Sequence, residues 1–506
     1  MTDSAGRPFD LLVVGGGING TGIARDAAGR GLRVLLVEQD DLASHTSSSK
    51  LTQGGLPYLE HHGFRLVREA LIEREVLLRA APHLVSPLTF LLPHSPEQRP
   101  AWLIRLGLFL YDHLGGREIL SGSKAVRLDD GSVYGVPLEP RYWRGFTYGD
   151  CRVDDSRLAV LNAVDARERG AEIRTRTRLV TAARTADSWR VELEDEDKGA
   201  RSTVVVRALV NAAGPWVQEP IRSRLGRESR MRVRLVKGSH IVVPKLYDGE
   251  HAYSLQNDDR RIVFVIPYED RFSLIGTTDV AYEGDPANVA ISPGETDYLC
   301  RAVNRYLLRK VAPQDVIRAY ADVRPLHDDK TGNVSAATRD HAFDLEGGPG
   351  QPVLLSVFGG KLTTYRKLAE HALSKLQPHL GFTKGPWTAT AHLPGGDIAG
   401  ARFDRFLQVT LRARPWLPES LARRLARAYG TRLERVLGTA QTLDQLGREI
   451  LPGLFEAELD YLRREEWART PEDVLWRRSK LGLHLGPEAA TRLRGYFTPQ
   501  SAVAAE

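Results

Sequence analysis

Gly15-x-Gly17-x-x-Gly20 is the first place in this chain where residue type and spacing together specify chemistry. Three glycines so spaced suit a strand-to-helix turn that cradles a pyrophosphate. The first permits the tight turn, the second lets backbone approach the phosphates, and the third lets the helix pack on the strand. The helix N-terminus adds partial positive charge. Glu38, 18 residues after Gly20, can accept hydrogen bonds from ribose hydroxyls and would repel a 2′-phosphate, which disfavours NADP. A second glycine turn, Phe358-Gly359-Gly360-Lys361-Leu362-Thr363, lies far downstream. Two such turns fit a bulky two-headed cofactor lying across both ends of the chain, which favours FAD over NAD. The apolar run Ala208 to Asn211, ending in Ala212-Ala213-Gly214, is a third place where backbone can approach, here the adenylate half.

These residues need particular elements to position them. Phe9 to Val14 is an apolar run of strand length that ends at the glycines. Thr21 to Gly31 reads as a helix and Arg33 to Glu38 as a second buried strand, which completes a βαβ unit. Val353 to Val357 and Arg366 to Leu376 bracket the second turn as strand and helix. Arg65 to Ala81 has the spacing of an amphipathic helix. Trp102 to Leu114 is apolar and aromatic-rich and predicts a buried core helix, with contact at a membrane surface as the alternative. The middle, from about Leu179 to Val280, alternates strand-like runs with turn residues. After Gly385 the chain turns Arg-, Leu- and Ala-rich, and Pro394-Gly395-Gly396 reads as a linker into a helical C-terminal domain.

The fold class expected is α/β: an FAD-binding Rossmann-like domain, a mixed-sheet substrate domain and a C-terminal all-helical domain. The first two interleave over residues 1–384, with FAD-binding parts near 1–80, 150–225 and 350–384 and substrate parts near 81–149 and 226–349. The helical domain is expected over 385–506.

With 506 residues, 42% hydrophobic and 26% charged, the chain is long enough for several domains and has the composition of an ordered globular protein. Cys151 and Cys300 stand apart from any Cys/His cluster, so neither a disulfide framework nor a metal site is expected, and a reducing compartment fits. The first apolar stretch is far shorter than the roughly 20 residues that span a bilayer, so neither secretion nor a transmembrane anchor is expected. The net charge of +6 suits anionic lipid or anionic metabolites. Without a basic-aromatic platform or helix-turn-helix signature, nucleic acid is not an expected partner.

Five blocks in order resemble the FAD-linked glycerol-3-phosphate dehydrogenases of aerobic bacteria and mitochondria. They are Gly15 to Ala24, Lys237 to Pro244, Ile275 to Asp279, Val323 to Leu326 and Phe358 to Glu370, so the resemblance covers nearly the whole chain. It implies oxidation of sn-glycerol 3-phosphate to dihydroxyacetone phosphate, with hydride passing to flavin N5 and electrons onward to a quinone. It further implies a cytoplasmic enzyme peripherally bound to the inner face of the membrane, with a homodimer allowed.

Alcohol oxidation by a flavin needs a base and a cation that stabilises the alkoxide. The resemblance gives catalytic roles to His240, Arg324 and Lys361, and substrate contacts to Tyr58, Thr278, Asp279 and Arg339, with Thr277 shaping the same pocket. Cofactor contacts fall to Gly15, Gly17, Asn19, Gly20, Glu38, Ser48, Lys50, Gly55, Gly214, Gly360, Leu362 and Thr363. Read without the family, His240 in an apolar strand is a hydrogen-bonded core residue. Arg324 precedes a proline, which biases it to extended backbone and suits a fixed loop that presents a guanidinium fork to a phosphate.

The chain departs from the family pattern between Asp41 and Glu60. Its serine-rich turn is two residues short, Gln53 stands where a flavin-side histidine is expected, and Pro57 stands where an arginine would hold the substrate phosphate. Losing that contact removes about 1.5–3 kcal/mol, ten- to a hundredfold in binding. Three readings therefore stay open: a working glycerol-3-phosphate dehydrogenase compensated by residues such as Arg339, a related flavoenzyme for another hydroxy acid or amine, and an impaired FAD-binding homologue.

Overall fold

A computed structural model describes residues 7–46, 48–56, 59, 63–129, 131–219, 231, 233–259, 261–327, 340–348 and 350–497. Pro57, Tyr58 and Arg339 lie outside the described residues.

The strand Phe9–Val14 is the axis of the first sheet, because Leu11, Leu12 and Val13 are fully buried between layers. It pairs in parallel with Val34–Val37 on one side and Arg201–Asn211 on the other, and Arg201–Asn211 pairs in parallel with Val353–Phe358. Among the described residues this sheet has eight strands; the antiparallel members are Ala342–Glu346 at one edge and the hairpin Thr177–Arg184 with Trp189–Asp195. The helices Ile18–Gly29, Asp155–Glu168 and Tyr365–Leu380 share one apolar core with it. Gly22 allows the first and last of these to meet, since a Cβ there would stand 2.7 Å from the Tyr365 ring.

The register has a functional consequence. Val14 lies beside Asn211, and Asn211 beside Ser356, so three parallel strands end together. Each runs straight into small residues, at Gly15, Ala212 and Gly359. The crevice outside the carboxyl ends of parallel strands is where open α/β sheets bind ligands.

A second, mixed sheet contains ten strands among the described residues. Toward one end of it Val233–Pro244 pairs antiparallel with Phe272–Gly276 and with Arg318–His327. Arg324 thus sits within a strand rather than in the loop expected from its proline; the extended backbone that proline favours is kept, but ladder pairing supplies the rigidity.

The C-terminal region has its own core, from Ile398 to Leu493, and is helical but not all-helical as expected, since Glu449–Leu451 pairs antiparallel with Leu454–Phe455 across a tight turn. It docks through buried ion pairs: Arg157 binds Glu466 and the Ala428 carbonyl, and Arg477 and Arg478 both reach Asp41. Asp41 is two residues from Ala43, whose amide donates to the Gly16 carbonyl, so this docking braces the first glycine turn. Pro394-Gly395-Gly396 is no exposed linker. All three residues are buried, and a Cβ on Gly395 or Gly396 would stand 2.0 Å from the carbonyl oxygen of Tyr429 or Ala80. The glycines serve close crossing of two backbones, not flexibility.

The helix Ala101–Leu114 also departs from expectation. Only Leu108, Tyr111 and Asp112 are buried, whereas Trp102 is 68% and Phe109 51% exposed, alongside Leu103 and Leu106. Its composition suggested core on every side, but the chain covers a single face. No helix among the described residues is long and apolar enough to cross a membrane.

Candidate active site

The three strand ends open on one cavity of about 690 Å³. Its wall begins at Gly15 and Gly17. Gly15 has φ of +115°, and a Cβ there would stand 2.5 Å from the Ala212 oxygen, so only glycine fits. Gly20 is buried behind the turn rather than on the wall: its Cβ would stand 1.9 Å from the Gly15 oxygen, the close helix packing expected of the third glycine. Glu38 lines the cavity and accepts from the amides of Gly16 (2.6 Å) and Asp40 (2.9 Å). Burial pushes its carboxyl pKa up against the pull of those amides.

Asn19 joins the two glycine turns. Its Nδ2 donates to the Gly359 carbonyl at 3.3 Å across 340 residues of sequence, and its buried Oδ1 has no hydrogen-bond partner among the described residues. Gly360, Lys361, Leu362 and Thr363 form the opposite wall, with Gly55 and Gly214 between. The Thr363 hydroxyl accepts from the Gln53 amide and donates to its carbonyl, which fixes the loop that carries the family departures. Gln53 itself lines the cavity.

Ser48 lines the wall and donates to Asp155 at 2.7 Å. Lys50 does not line it. Its ammonium is bound to Asp155 at 2.7 Å, and although burial pulls its pKa down, that carboxylate holds it above the ordinary value. Lys50 therefore clamps the shortened serine loop from behind.

The second sheet supplies the floor. His240 is buried and lines the cavity, stacked on Tyr320 with ring centroids 4.9 Å apart, with Nε2 2.9 Å from the Ser49 hydroxyl. Burial, assisted by the nearby cations Lys50 and Arg324, lowers its pKa to about 3, so the ring is neutral. Arg324 lines the cavity and pairs with Asp279 and the Thr278 carbonyl. Thr278 and Asp279 thus stand behind the floor, where they orient Arg324, while Thr277 reaches the cavity. Thr278 is tied to Glu295, which also takes Ser239 and Lys237; although burial raises its pKa, these partners hold it down at about 2.

Sequence reasoning missed three residues here. Ser49 is one serine in a run of them, Asp155 begins a helix far from the motifs, and Asp322 stands two residues before Arg324 on the cavity floor. Only the strand register, which puts Asp322 opposite Gly238, reveals the last.

Known proteins agree with this architecture. Residues 10–366 match the FAD dependent oxidoreductase family and residues 387–495 the C-terminal domain of alpha-glycerophosphate oxidase. The chain belongs to the FAD dependent oxidoreductase family, and its cofactor is FAD. Among its relatives are a glycerol-3-phosphate dehydrogenase of Pseudomonas aeruginosa, 56% identical over 97% of this chain and 95% of that protein, and the aerobic glycerol-3-phosphate dehydrogenase of Escherichia coli, 51% identical over 96% of each. A D-erythritol 1-phosphate dehydrogenase of Brucella abortus is 53% identical over 94% of this chain and 95% of its own length. The glycerol-3-phosphate dehydrogenase of Bacillus halodurans, solved with FAD, superposes with a TM-score of 0.76 at 27% identity, over 98% of this chain and 92% of that one.

The cavity fits that cofactor on its own terms. Positive-φ glycines line it at three strand ends, a helix N-terminus points at it, and Asn19 Oδ1 is left with bonding capacity.

Proposed function

We infer that the protein oxidises sn-glycerol 3-phosphate to dihydroxyacetone phosphate and passes the electrons to a quinone. The observation that carries this reading is the meeting, in one cavity, of the flavin cradle with His240, Arg324 and Lys361. Bound FAD supplies the acceptor for the carbinol hydride. The chain's residues do the rest. Arg324, oriented by Asp279, and Lys361 bind and polarise the anionic substrate. Neutral His240 takes the hydroxyl proton through Ser49, which also lines the cavity and whose hydroxyl stands 2.9 Å from His240 Nε2. Arg339, on which the resemblance places a substrate contact, compensates for Pro57.

Reduction of an electron acceptor with appearance of dihydroxyacetone phosphate tests this. Turnover with sn-glycerol 3-phosphate but not glycerol is expected; equal turnover of both would remove the phosphate from the account. A second reading has specific support in Gln53 on the wall and in the relative named for D-erythritol 1-phosphate. A longer polyol phosphate turned over with the higher kcat/KM would favour it.

The same inference includes a membrane surface as partner. The exposed apolar face of Ala101–Leu114, in a protein with net charge +6, suits the interfacial layer of an anionic cytoplasmic membrane.

A further inference from the structure

The floor of the cavity carries a carboxyl group that the proposed reaction does not use. Side chains alternate along a strand, so Tyr320, Asp322 and Arg324 of Arg318–His327 share one face. In the register with Val233–Pro244, Tyr320 lies beside His240 and Asp322 beside Gly238. Gly238 leaves its side of that pair open, and the Arg324 guanidinium comes within 2.8 Å of where its Cβ would be. Asp322, Arg324 and His240 all line the cavity, and Lys361 faces them from the glycine turn.

The cations nearest Asp322 are committed elsewhere: Arg324 pairs with Asp279, and Lys50 with Asp155. The groups acting on Asp322 are thus Arg324 and Tyr320 on its own strand, Lys50 from the serine loop and Asp155 from the helix start, while His240, beside Tyr320 in the register, shares the cavity. Burial pushes its carboxyl up to about 7, against the pull of Arg324, the Val323 amide and Lys50 and with a small push from Asp155. A substrate phosphate held by Arg324 and Lys361 places further negative charge next to this carboxylate. Like charges disfavour joint ionisation.

We propose that Asp322 makes substrate binding proton-coupled: an anionic substrate beside Arg324 binds as the Asp322 carboxylate takes up one proton from solvent. The proposal rests on the reading of the substrate as a phosphate ester. Below pH 7 the carboxyl is already protonated and binding is independent of it. Above pH 7 the competent fraction falls, so the apparent Kd rises about tenfold per pH unit. The second ionisation of a phosphate ester, near 6, is common to all variants and cancels in their ratio.

Binding of sn-glycerol 3-phosphate to the FAD-loaded protein from pH 6 to 9, with KM and the limiting rate of flavin reduction, tests it. Asp322→Asn is expected to bind about tenfold more tightly than the unaltered protein at pH 8 and equally at pH 6. Calorimetry of the unaltered protein at pH 8, in buffers of different ionisation enthalpy, is expected to count about one proton taken up. This readout does not depend on the variant's folding. A proton count of zero, or the same pH dependence of KM in both proteins, overturns the proposal and leaves the substrate reading standing. Failure of glycerol 3-phosphate to bind either protein overturns the substrate reading, and the proposal with it.

Discussion

The two walls of the cavity are built on different principles. The cradle side is backbone: Gly15, Gly17, Gly359 and Gly360 act through the absence of side chains, and each sits at the end of a strand visible in the sequence. The floor is side chain: His240, Asp322 and Arg324 come from two strands separated by more than 70 residues and meet only through ladder register. At Gly15, Gly359 and Gly360 the backbone wall leaves no room for a Cβ, whereas a side-chain wall can be retuned one residue at a time. The cofactor is accordingly fixed by the chain's geometry, and the substrate by a few replaceable groups.

The largest effect is expected on the cradle. Gly20→Ala puts a methyl within 1.9 Å of the Gly15 oxygen, and neither backbone can move without opening the turn. The purified variant should be colourless; a yellow Gly20→Ala protein with normal flavin content would break the contrast between the walls. On the floor, Arg324→Ala should keep its flavin and lose roughly ten- to a hundredfold in kcat/KM, about the worth of one charge-assisted contact of 1.5–3 kcal/mol. Loss of flavin instead would show that floor and cradle are not separable.

A smaller effect concerns pH. His240 is neutral in the folded protein to about pH 3 but titrates near 6.5 when unfolded. The unfolded chain therefore binds the extra proton between these values, and stability falls as pH drops through that window, by about 1.4 kcal/mol per unit at most. Denaturant melts of His240→Gln should show a shallower acid loss than the unaltered protein; an identical slope would mean that the ring is protonated when folded. His83, also buried and lowered to about 3, contributes in the same direction and remains as background in both.

The smallest effect on chemistry is expected away from both walls. Phe109→Ser on the exposed face of Ala101–Leu114 should leave turnover with a soluble acceptor unchanged and weaken sedimentation with phosphatidylglycerol vesicles. Unchanged sedimentation would contradict a membrane contact through this face.

What could be read from the sequence follows the same division. The βαβ unit, Glu38 and both glycine turns were legible because local spacing determines them. His240, Arg324 and Lys361 were named from the family blocks and all line the cavity, while Ser49, Asp155 and Asp322 carry no local signal, and their places come from contacts across the chain. Thr278, Asp279 and Lys50 were placed in the right neighbourhood but one layer too far forward, since spacing along a strand does not say which groups a hydrogen-bond network will hold back. Pro394-Gly395-Gly396 and Ala101–Leu114 misled for one reason. Composition reports what a segment can bury, but only packing decides which face is covered.

The most direct test of the central claim, that one cavity joins a flavin cradle to a site for a phosphorylated alcohol, is an anaerobic titration of the yellow protein with sn-glycerol 3-phosphate. Bleaching of the flavin by one equivalent, with none from glycerol at the same concentration, is the expected result. A flavin that stays oxidised would contradict the account and leave a cradle whose substrate is something else.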